Sequence, residues 1–186
     1  MDPDRFLVLA EQIGFEHRAA LDPASLILRT EIREMCAADR CGNYNRSWSC
    51  PPACGDLTDL RRRIAACGSG ILVQTTGQLE DSFDLESIRR LSGLHSRRFD
   101  KLVRQAKLLQ PGLLAMGSGG CRRCRRCSYP EAPCRFPDRC YPSMEACGLW
   151  VSEVCRANGL GYNYGGQTMT YTAALLFPEQ ERKLSK

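Results

Sequence analysis

The sequence feature that most constrains this chain is a run of closely spaced cysteines within residues 119–142. Cys121, Cys124 and Cys127 form a C-x-x-C-x-x-C pattern, and Cys134 follows after six further residues. Three thiolates on one tight loop can hold three corners of an iron–sulfur cube, and a more distant thiolate can hold the fourth. Zinc sites more often combine two separated C-x-x-C pairs, because a tetrahedral ion takes its ligands from two directions. The spacing therefore favours a [4Fe–4S] cluster over zinc.

The chain contains 12 cysteines among 186 residues. Their interpretation depends on whether the protein is located in a reducing or an oxidising compartment. The first residues are acidic and lead into an amphipathic pattern, without the basic segment and long apolar core of a secretory signal. The longest apolar runs are too short to cross a bilayer. We therefore expect a cytoplasmic protein with no membrane partner. In that compartment, many cysteines indicate metal or redox chemistry rather than disulfides.

A second group of cysteines lies earlier in the chain, in a segment that favours loops. Four cysteines occur within residues 36–54, separated by glycine, asparagine and proline residues that favour tight turns. The block contains no C-x-x-C pair, so a zinc knuckle describes it poorly, and Cys50-Pro51 resembles the Cys-Pro ending of cluster-binding loops. We predict one metal site in each block. The predicted ligands are Cys36, Cys41, Cys50 and Cys54 in the first block and Cys121, Cys124, Cys127 and Cys134 in the second.

Alternatives remain for the fourth ligand of each site. Cys140, which is followed by Tyr-Pro, is a rival to Cys134. Cys134 and Cys54 could also be exchanged between the sites, because the distal cysteine of two-cluster ferredoxins serves the other cluster. The other cysteines are predicted to pack as small hydrophobic side chains: Cys67, Cys147 and Cys155.

The net charge of +5 is concentrated in basic clusters. One cluster alternates with the central cysteines and consists of Arg122, Arg123, Arg125 and Arg126. A [4Fe–4S] cube held by four thiolates is anionic, and nearby cations tune its reduction potential. We predict that these arginines bind the cofactor. Nucleic acid, which basic clusters can also indicate, is a less favoured partner at a position so close to the ligands.

The remaining sequence predicts alternating helices and strands. Helices are predicted at 4–13, 57–66, 84–110 and 143–157, and strands at 15–21, 70–76, 113–116 and 168–177. Residues 25–34 are ambiguous, and their alternation favours a strand. The order predicts a single α/β domain over residues 1–186, with a mixed or parallel sheet of about four strands flanked by helices. If the strands are parallel, the cysteine-rich loops 36–54 and 121–140 lie at one edge of the sheet.

Two motifs resemble those of a known family. Cys36 to Pro52 follows C-x4-C-G-x-Y-x5-C-P-P, and Gly119 to Pro137 follows G-x-C-x-x-C-x-x-C-x-Y-P-x-x-P-C-R-x-P. In this order they are similar to a prokaryotic, cysteine-rich domain-of-unknown-function family described as predicted metal-binding proteins. The resemblance covers nearly the whole chain. It implies a cytoplasmic metal-binding protein, with iron–sulfur clusters as the expected metal and the eight predicted cysteines as ligands, and it supplies no reaction.

We therefore expect a protein with two [4Fe–4S] clusters that transfers electrons or assists a partner enzyme, with a redox protein as its partner. Zinc is the alternative metal, in a binding module for nucleic acid or an acidic protein. A further alternative is an enzyme in which one cluster has an open iron. No catalytic signature is evident: His17 and His95 are expected to be packing or surface residues. The glycine-rich segment 117–120 lacks the spacing of a dinucleotide loop, and its expected role is close approach to cluster sulfurs.

Overall fold

A computed structural model describes residues 2–179 of the chain. Helices and strands alternate along it except that the helices Thr30–Ala37 and Leu57–Ala65 follow each other directly, and two short 3-10 turns lie at Pro23–Ser25 and Pro137–Arg139. The helices are α1 (Asp4–Ile13), α2 (Thr30–Ala37), α3 (Leu57–Ala65), α4 (Leu85–Leu109) and α5 (Val151–Ala157). The strands are β1 (His17–Leu21), β2 (Cys67–Gln78), β3 (Leu114–Met116) and β4 (Thr168–Pro178).

The four strands form one sheet in the order β1-β2-β4-β3, and every neighbouring pair is antiparallel. The expectation of a mixed or parallel sheet is therefore wrong, although four strands and flanking helices are present. The reason lies in the last strand. β2 and β3 run in the same direction, because both are antiparallel to β4, and α4 connects them as a crossover. β4 inserts between them in the opposite direction, which the alternation of helices and strands does not reveal.

Helices and turns cover both faces of the sheet. Alternate residues of a strand point to opposite faces, so Ile71 and Val73 pack in the core beneath α1 and α4. Leu72 instead joins the core on the side of α3 and α5. The rings of Phe6 and Phe177 stack with centroids 4.0 Å apart and fix α1 against β4. Both layers of helices are thus tied to the two central strands.

The longest helix, α4, carries a side chain that later becomes important for the site. Asp84 caps its first turn by accepting a hydrogen bond from the Ser87 backbone N–H at 2.9 Å. The helix continues for 25 residues, without a break at Gly93. Its buried face is apolar except for His95 and Asp100. In the part of the chain that the structure describes, no helix combines the length and apolarity needed to span a membrane.

Two predicted elements differ from the observed structure. Residues 26–29 are extended but belong to no strand. Leu26 and Leu28 alternate because they pack into the core, and α2 begins at Thr30. The helix predicted from residue 143 begins only at Val151. Gly148 has a φ of 77°, and a Cβ there would lie 2.8 Å from the Arg29 carbonyl oxygen. The first cysteine block therefore follows a helix, and the parallel-sheet argument for a shared edge does not hold.

Candidate metal centre

The two cysteine blocks pack directly against each other. The backbone N–H of Cys121 donates to Ser49 Oγ at 3.1 Å. The indole Nε1 of Trp48 donates to the Ala132 carbonyl at 3.1 Å, and its ring meets that of Tyr129 edge-on with centroids 4.9 Å apart. All 12 cysteines are free thiols. The blocks therefore form one cysteine-rich region without any covalent link.

Five thiols line a cavity of about 230 Å³ in this region, which we call the thiol cavity. They form the second thiol group and comprise Cys121, Cys124, Cys127, Cys134 and Cys140. The hydrogen bond between the Cys121 and Cys140 side chains lowers the pKa of Cys121 to about 6 and raises that of Cys140. Cys140 also hydrogen-bonds Cys134. The structure thus places the two rivals for the fourth ligand side by side.

Residues of the first block supply hydrogen bonds to Cys127. Burial acts to raise the pKa of this thiol, but the backbone of Tyr129, the backbone of Trp48 and the Ser47 hydroxyl outweigh it. The pKa of Cys127 is therefore lowered, since these hydrogen bonds favour the thiolate. Ser47 and Trp48 also form part of the wall of the thiol cavity. The first block is consequently part of the environment of the second thiol group.

The cysteines of the first block also lie close to one another, and we call Cys36, Cys41, Cys50 and Cys54 the first thiol group. Burial raises the pKa of Cys36, and the neighbouring Cys41 and Cys54 raise it further. Burial likewise raises the pKa of Cys50, and Cys41 and Cys54 act in the same direction. Arg33 Nη2 lies 3.1 Å from Cys54 Sγ and donates a hydrogen bond to it. The four cysteines predicted from the first block are therefore neighbours in the structure.

Cys147 is a neighbour of the first thiol group that sequence reasoning did not assign to it. Only 3% of this residue is exposed, and it belongs to the apolar core, as expected. Its pKa is raised by burial and then by the adjacent Cys54. Its spacing from the other cysteines gives no sign of this proximity. Cys67 and Cys155 pack in the core as predicted.

The four arginines of the second block occupy different environments. Arg123 and Arg125 line the thiol cavity, whereas Arg122 lies outside it and faces a neighbouring cavity. Arg126 is 88% exposed and lies 3.9 Å from Glu131. Arg123 is additionally fixed by an ion pair with Asp100 and by a hydrogen bond from Nε to the Arg139 carbonyl. The structure thus brings two of the four arginines to the thiols.

Asp100 is a site residue that sequence reasoning missed. It projects from the buried face of α4 and forms ion pairs with both Arg123 and Arg139. Burial acts to raise its pKa, but the hydrogen bonds and charges of the two arginines prevail and lower it. The sequence did contain a signal: Asp100 lies between Phe99 and Leu102 on an apolar helix face. An aspartate is rarely buried without a charged partner, so this position predicts a partner elsewhere in the chain.

The donor atoms in both groups are thiols, which suit soft transition metals, zinc and iron–sulfur clusters. Within residues 2–179, however, no three His, Cys, Asp or Glu side chains converge as a set that could hold a metal ion. In the second group the sulfurs lie around the wall of a cavity instead.

Comparisons with known proteins agree with the chemistry of the donors. A family model described as "Predicted metal-binding protein (DUF2284)" matches residues 19–177. Searches of the curated proteins and of the solved structures found no match. The matched region contains both thiol groups, and it confirms the family resemblance that the two motifs suggested. The chain therefore belongs to this family of predicted metal-binding proteins.

Proposed function

We propose that the protein holds two [4Fe–4S]-type clusters, one in each thiol group, and that it transfers electrons or serves as a redox accessory to a partner enzyme. The observation that carries this proposal is the thiol cavity, in which five thiols surround about 230 Å³. Among the described residues no histidine or carboxylate lines that cavity. A donor set composed of thiols alone is typical of iron–sulfur sites.

The C-x-x-C-x-x-C spacing of Cys121, Cys124 and Cys127 favours a cluster over zinc. A zinc ion requires four ligand atoms that converge on one point, at about 2.3 Å for sulfur. A [4Fe–4S] cube presents four iron atoms at separate corners, and three closely spaced thiolates of one loop can hold three of them. Zinc remains the alternative metal, in a binding module.

The surrounding residues have defined roles in this proposal. When bound, such clusters accept and release single electrons. Ser47 and the backbone of Trp48 donate hydrogen bonds to Cys127, and Arg33 donates one to Cys54. Hydrogen bonds to ligand sulfurs stabilise negative charge and raise the reduction potential of a cluster. Arg123 and Arg125 add positive charge at the same wall. The protein would thereby favour the reduced state.

A redox partner protein and a cytoplasmic location are part of the proposal. Arg122, Arg125 and Arg126 are exposed beside the second thiol group. Such a positive surface suits an acidic partner protein, because complementary charges accelerate the association of redox proteins. Nucleic acid would use the same charges, and its affinity would then fall steeply with salt.

Metal analysis of anaerobically purified protein tests the proposal. We expect iron and sulfide in both sites, and loss of about half of the iron in Cys50→Ala and in Cys124→Ala, because each cube needs its own thiolates. Cys67→Ala is the matched control, since Cys67 is a buried thiol outside both thiol groups, and it should keep all its iron. A colourless protein with stoichiometric zinc would overturn the iron–sulfur assignment in favour of the zinc module.

A second candidate function rests on a cleft of about 740 Å³ between the two thiol groups, which we call the large cleft. Its wall includes Cys54 of the first thiol group, Cys140 of the second, and Cys147. Substrate pockets typically have volumes of about 300–1,000 Å³. An enzyme with one open iron could therefore receive a substrate here. Cyanide tests this function, because it would alter the electron paramagnetic resonance spectrum of an open iron and leave fully coordinated clusters unchanged.

A further inference from the structure

A separate cavity of about 250 Å³ lies between α4 and the glycine-rich segment 117–120. We call it the glycine-loop cavity. It shares Cys121 and Arg123 with the thiol cavity but is otherwise lined by different residues. Its cationic lining consists of Arg97, Arg122, Arg123 and Arg139. The function proposed above leaves this cavity unused.

The charges around the glycine-loop cavity are unbalanced. Asp100 is its only acidic lining residue among those described, and it already pairs with Arg123 and Arg139. Arg97 and Arg122 are exposed and form no ion pair within residues 2–179. Two arginines without an ion pair among the described residues therefore line the cavity, which gives it a charge complementary to a doubly charged anion.

The glycine-rich loop offers backbone donors to the same cavity. Its start is fixed by a hydrogen bond from the Gly117 N–H to the Pro142 carbonyl at 2.8 Å, and its end by the bond from Cys121 to Ser49. Between these anchors, the N–H groups of residues 118–120 donate to no acceptor within the described chain. Gly119 has a φ of 66°, which favours glycine. Successive free N–H groups in such a turn form a concavity for anions.

A buried side chain with one unpaired nitrogen forms another part of the wall. His95 is 2% exposed, and its Nε2 has no hydrogen-bond partner. Its Nδ1 lies 3.1 Å from Thr75 Oγ1. If the Thr75 hydroxyl donates to Nδ1, the ring hydrogen is on Nε2, which becomes an unpaired donor. Burial and the nearby Arg98 lower the pKa of His95 to about 3, so the ring is neutral at physiological pH.

We infer that the glycine-loop cavity binds a doubly charged oxyanion of the phosphoryl class, held by Arg97, Arg122 and the N–H groups of residues 118–120. The inference rests on the unpaired guanidinium groups, the free amides and the unpartnered His95 nitrogen. It does not depend on which metal the thiols bind. Because Cys121 lines both cavities, the anion would lie next to the second thiol group.

Isothermal titration of the full chain with inorganic phosphate tests this inference, at constant ionic strength because salt screens exposed charges. We expect saturable binding with a Kd of about 1 mM or tighter. Acetate carries a single charge and should bind about tenfold more weakly or worse. Arg122→Gln should weaken phosphate binding by about tenfold or more, because it removes a charge-assisted contact. Arg126→Gln is the matched control and should bind as the unchanged protein does.

The control is informative because Arg122 and Arg126 are exposed arginines of the same loop, and only Arg122 lines the glycine-loop cavity. Equal weakening by the two substitutions, or no saturable binding of phosphate, would overturn the inference. Acetate binding as tight as phosphate binding would overturn the phosphoryl class. Iron content measured on the same samples keeps this result distinct from a failure of the proposed iron–sulfur function.

Discussion

The backbone N–H of Cys121 and the hydroxyl oxygen of Ser49 lie 3.1 Å apart, although 72 residues separate them in the chain. Ser49 is 1% exposed, so this bond is shielded from water. It fixes the start of the C-x-x-C-x-x-C loop against the first cysteine block. The geometry of the second thiol group therefore depends on a residue outside it.

We predict that Ser49→Ala lowers the free energy of unfolding by about 1–2 kcal/mol, because it leaves the Cys121 N–H without an acceptor in a partly buried position. Denaturant unfolding of the reduced protein measures this change. Ser82→Ala is the control, since Ser82 is exposed in the loop before α4. Equal stabilities of the two variants would show that the bond contributes nothing.

The sequence predicted most individual elements but not their arrangement. α1 ends at Gly14, as its glycine indicated. The sequence left open whether Asp56 or Thr58 caps α3 and whether α4 breaks near Gly93; in the structure Asp56 is the cap and α4 is continuous. The direction of the sheet was wrong, because insertion of β4 between β2 and β3 is a tertiary choice with no local signal. Local patterns specify helices and turns, whereas strand order depends on contacts between distant segments.

The proximity of the two cysteine blocks was expected for the wrong reason. A parallel sheet would have placed them at one edge, but the sheet is antiparallel and the first block follows α2. Contacts of Ser49 and Trp48 with the second block bring them together instead. Cys147 and Asp100 were missed because their partners, Cys54 and Arg123, are distant in the sequence.

The ion pairs of Asp100 lead to a prediction about acid stability. The pKa of Asp100 is lowered below its ordinary value of 3.8 by Arg139 and Arg123, against the effect of burial. Between the lowered pKa of folded Asp100 and its ordinary value of 3.8, the unfolded state therefore binds more protons than the folded state. The stabilisation by the Asp100 ion pairs is lost as the pH falls below about 3.8. Asp100→Asn should remove this acid-dependent loss of stability. It should also lower the free energy of unfolding at pH 7 by roughly 1.5–3 kcal/mol, because the hydrogen bonds to two arginines lose their charged acceptor.

Unfolding measured between pH 2 and pH 7, in roughly one-unit steps, checks the prediction for Asp100. Asp138→Asn is the control, because Asp138 is exposed and forms no ion pair among the described residues. An Asp100→Asn variant as stable as this control at neutral pH would contradict the prediction.

The buried ring of His95 makes the stability of the protein depend on pH over a different range. Its pKa is lowered from 6.5 to about 3, so the unfolded state binds more protons between these values. Stability should fall with decreasing pH across that interval, by up to about 1.4 kcal/mol per pH unit. His95→Phe keeps an aromatic ring beside Phe15 and Phe99 and should flatten the slope. His17→Phe should retain it, and equal slopes in both variants would contradict this assignment.

Alanine substitutions at two glycines allow the effect of a steric clash to be distinguished from that of backbone strain. Gly148 and Gly159 have φ angles of 77° and 74°, so alanine is strained at both. Only Gly148 is crowded: a Cβ there would lie 2.8 Å from the Arg29 carbonyl oxygen, whereas nothing lies within 4 Å at Gly159. We expect Gly148→Ala to reduce the free energy of unfolding by about 1–3 kcal/mol more than Gly159→Ala. Thermal or denaturant unfolding measures this difference. Equal losses of stability in the two variants would contradict the close approach of Gly148 to Arg29.

The relation between the two thiol groups gives a prediction that rests on the proposed clusters. Cys54 of the first group and Cys140 of the second line the same large cleft, together with Cys147. Two reduced, paramagnetic clusters on the walls of one cleft should broaden and split each other's electron paramagnetic resonance signals. The spectrum of the fully reduced protein should therefore differ from the sum of the spectra of Cys50→Ala and Cys124→Ala. A spectrum equal to that sum would mean that the clusters do not interact, and iron analysis of the variants would establish that each still holds one cluster.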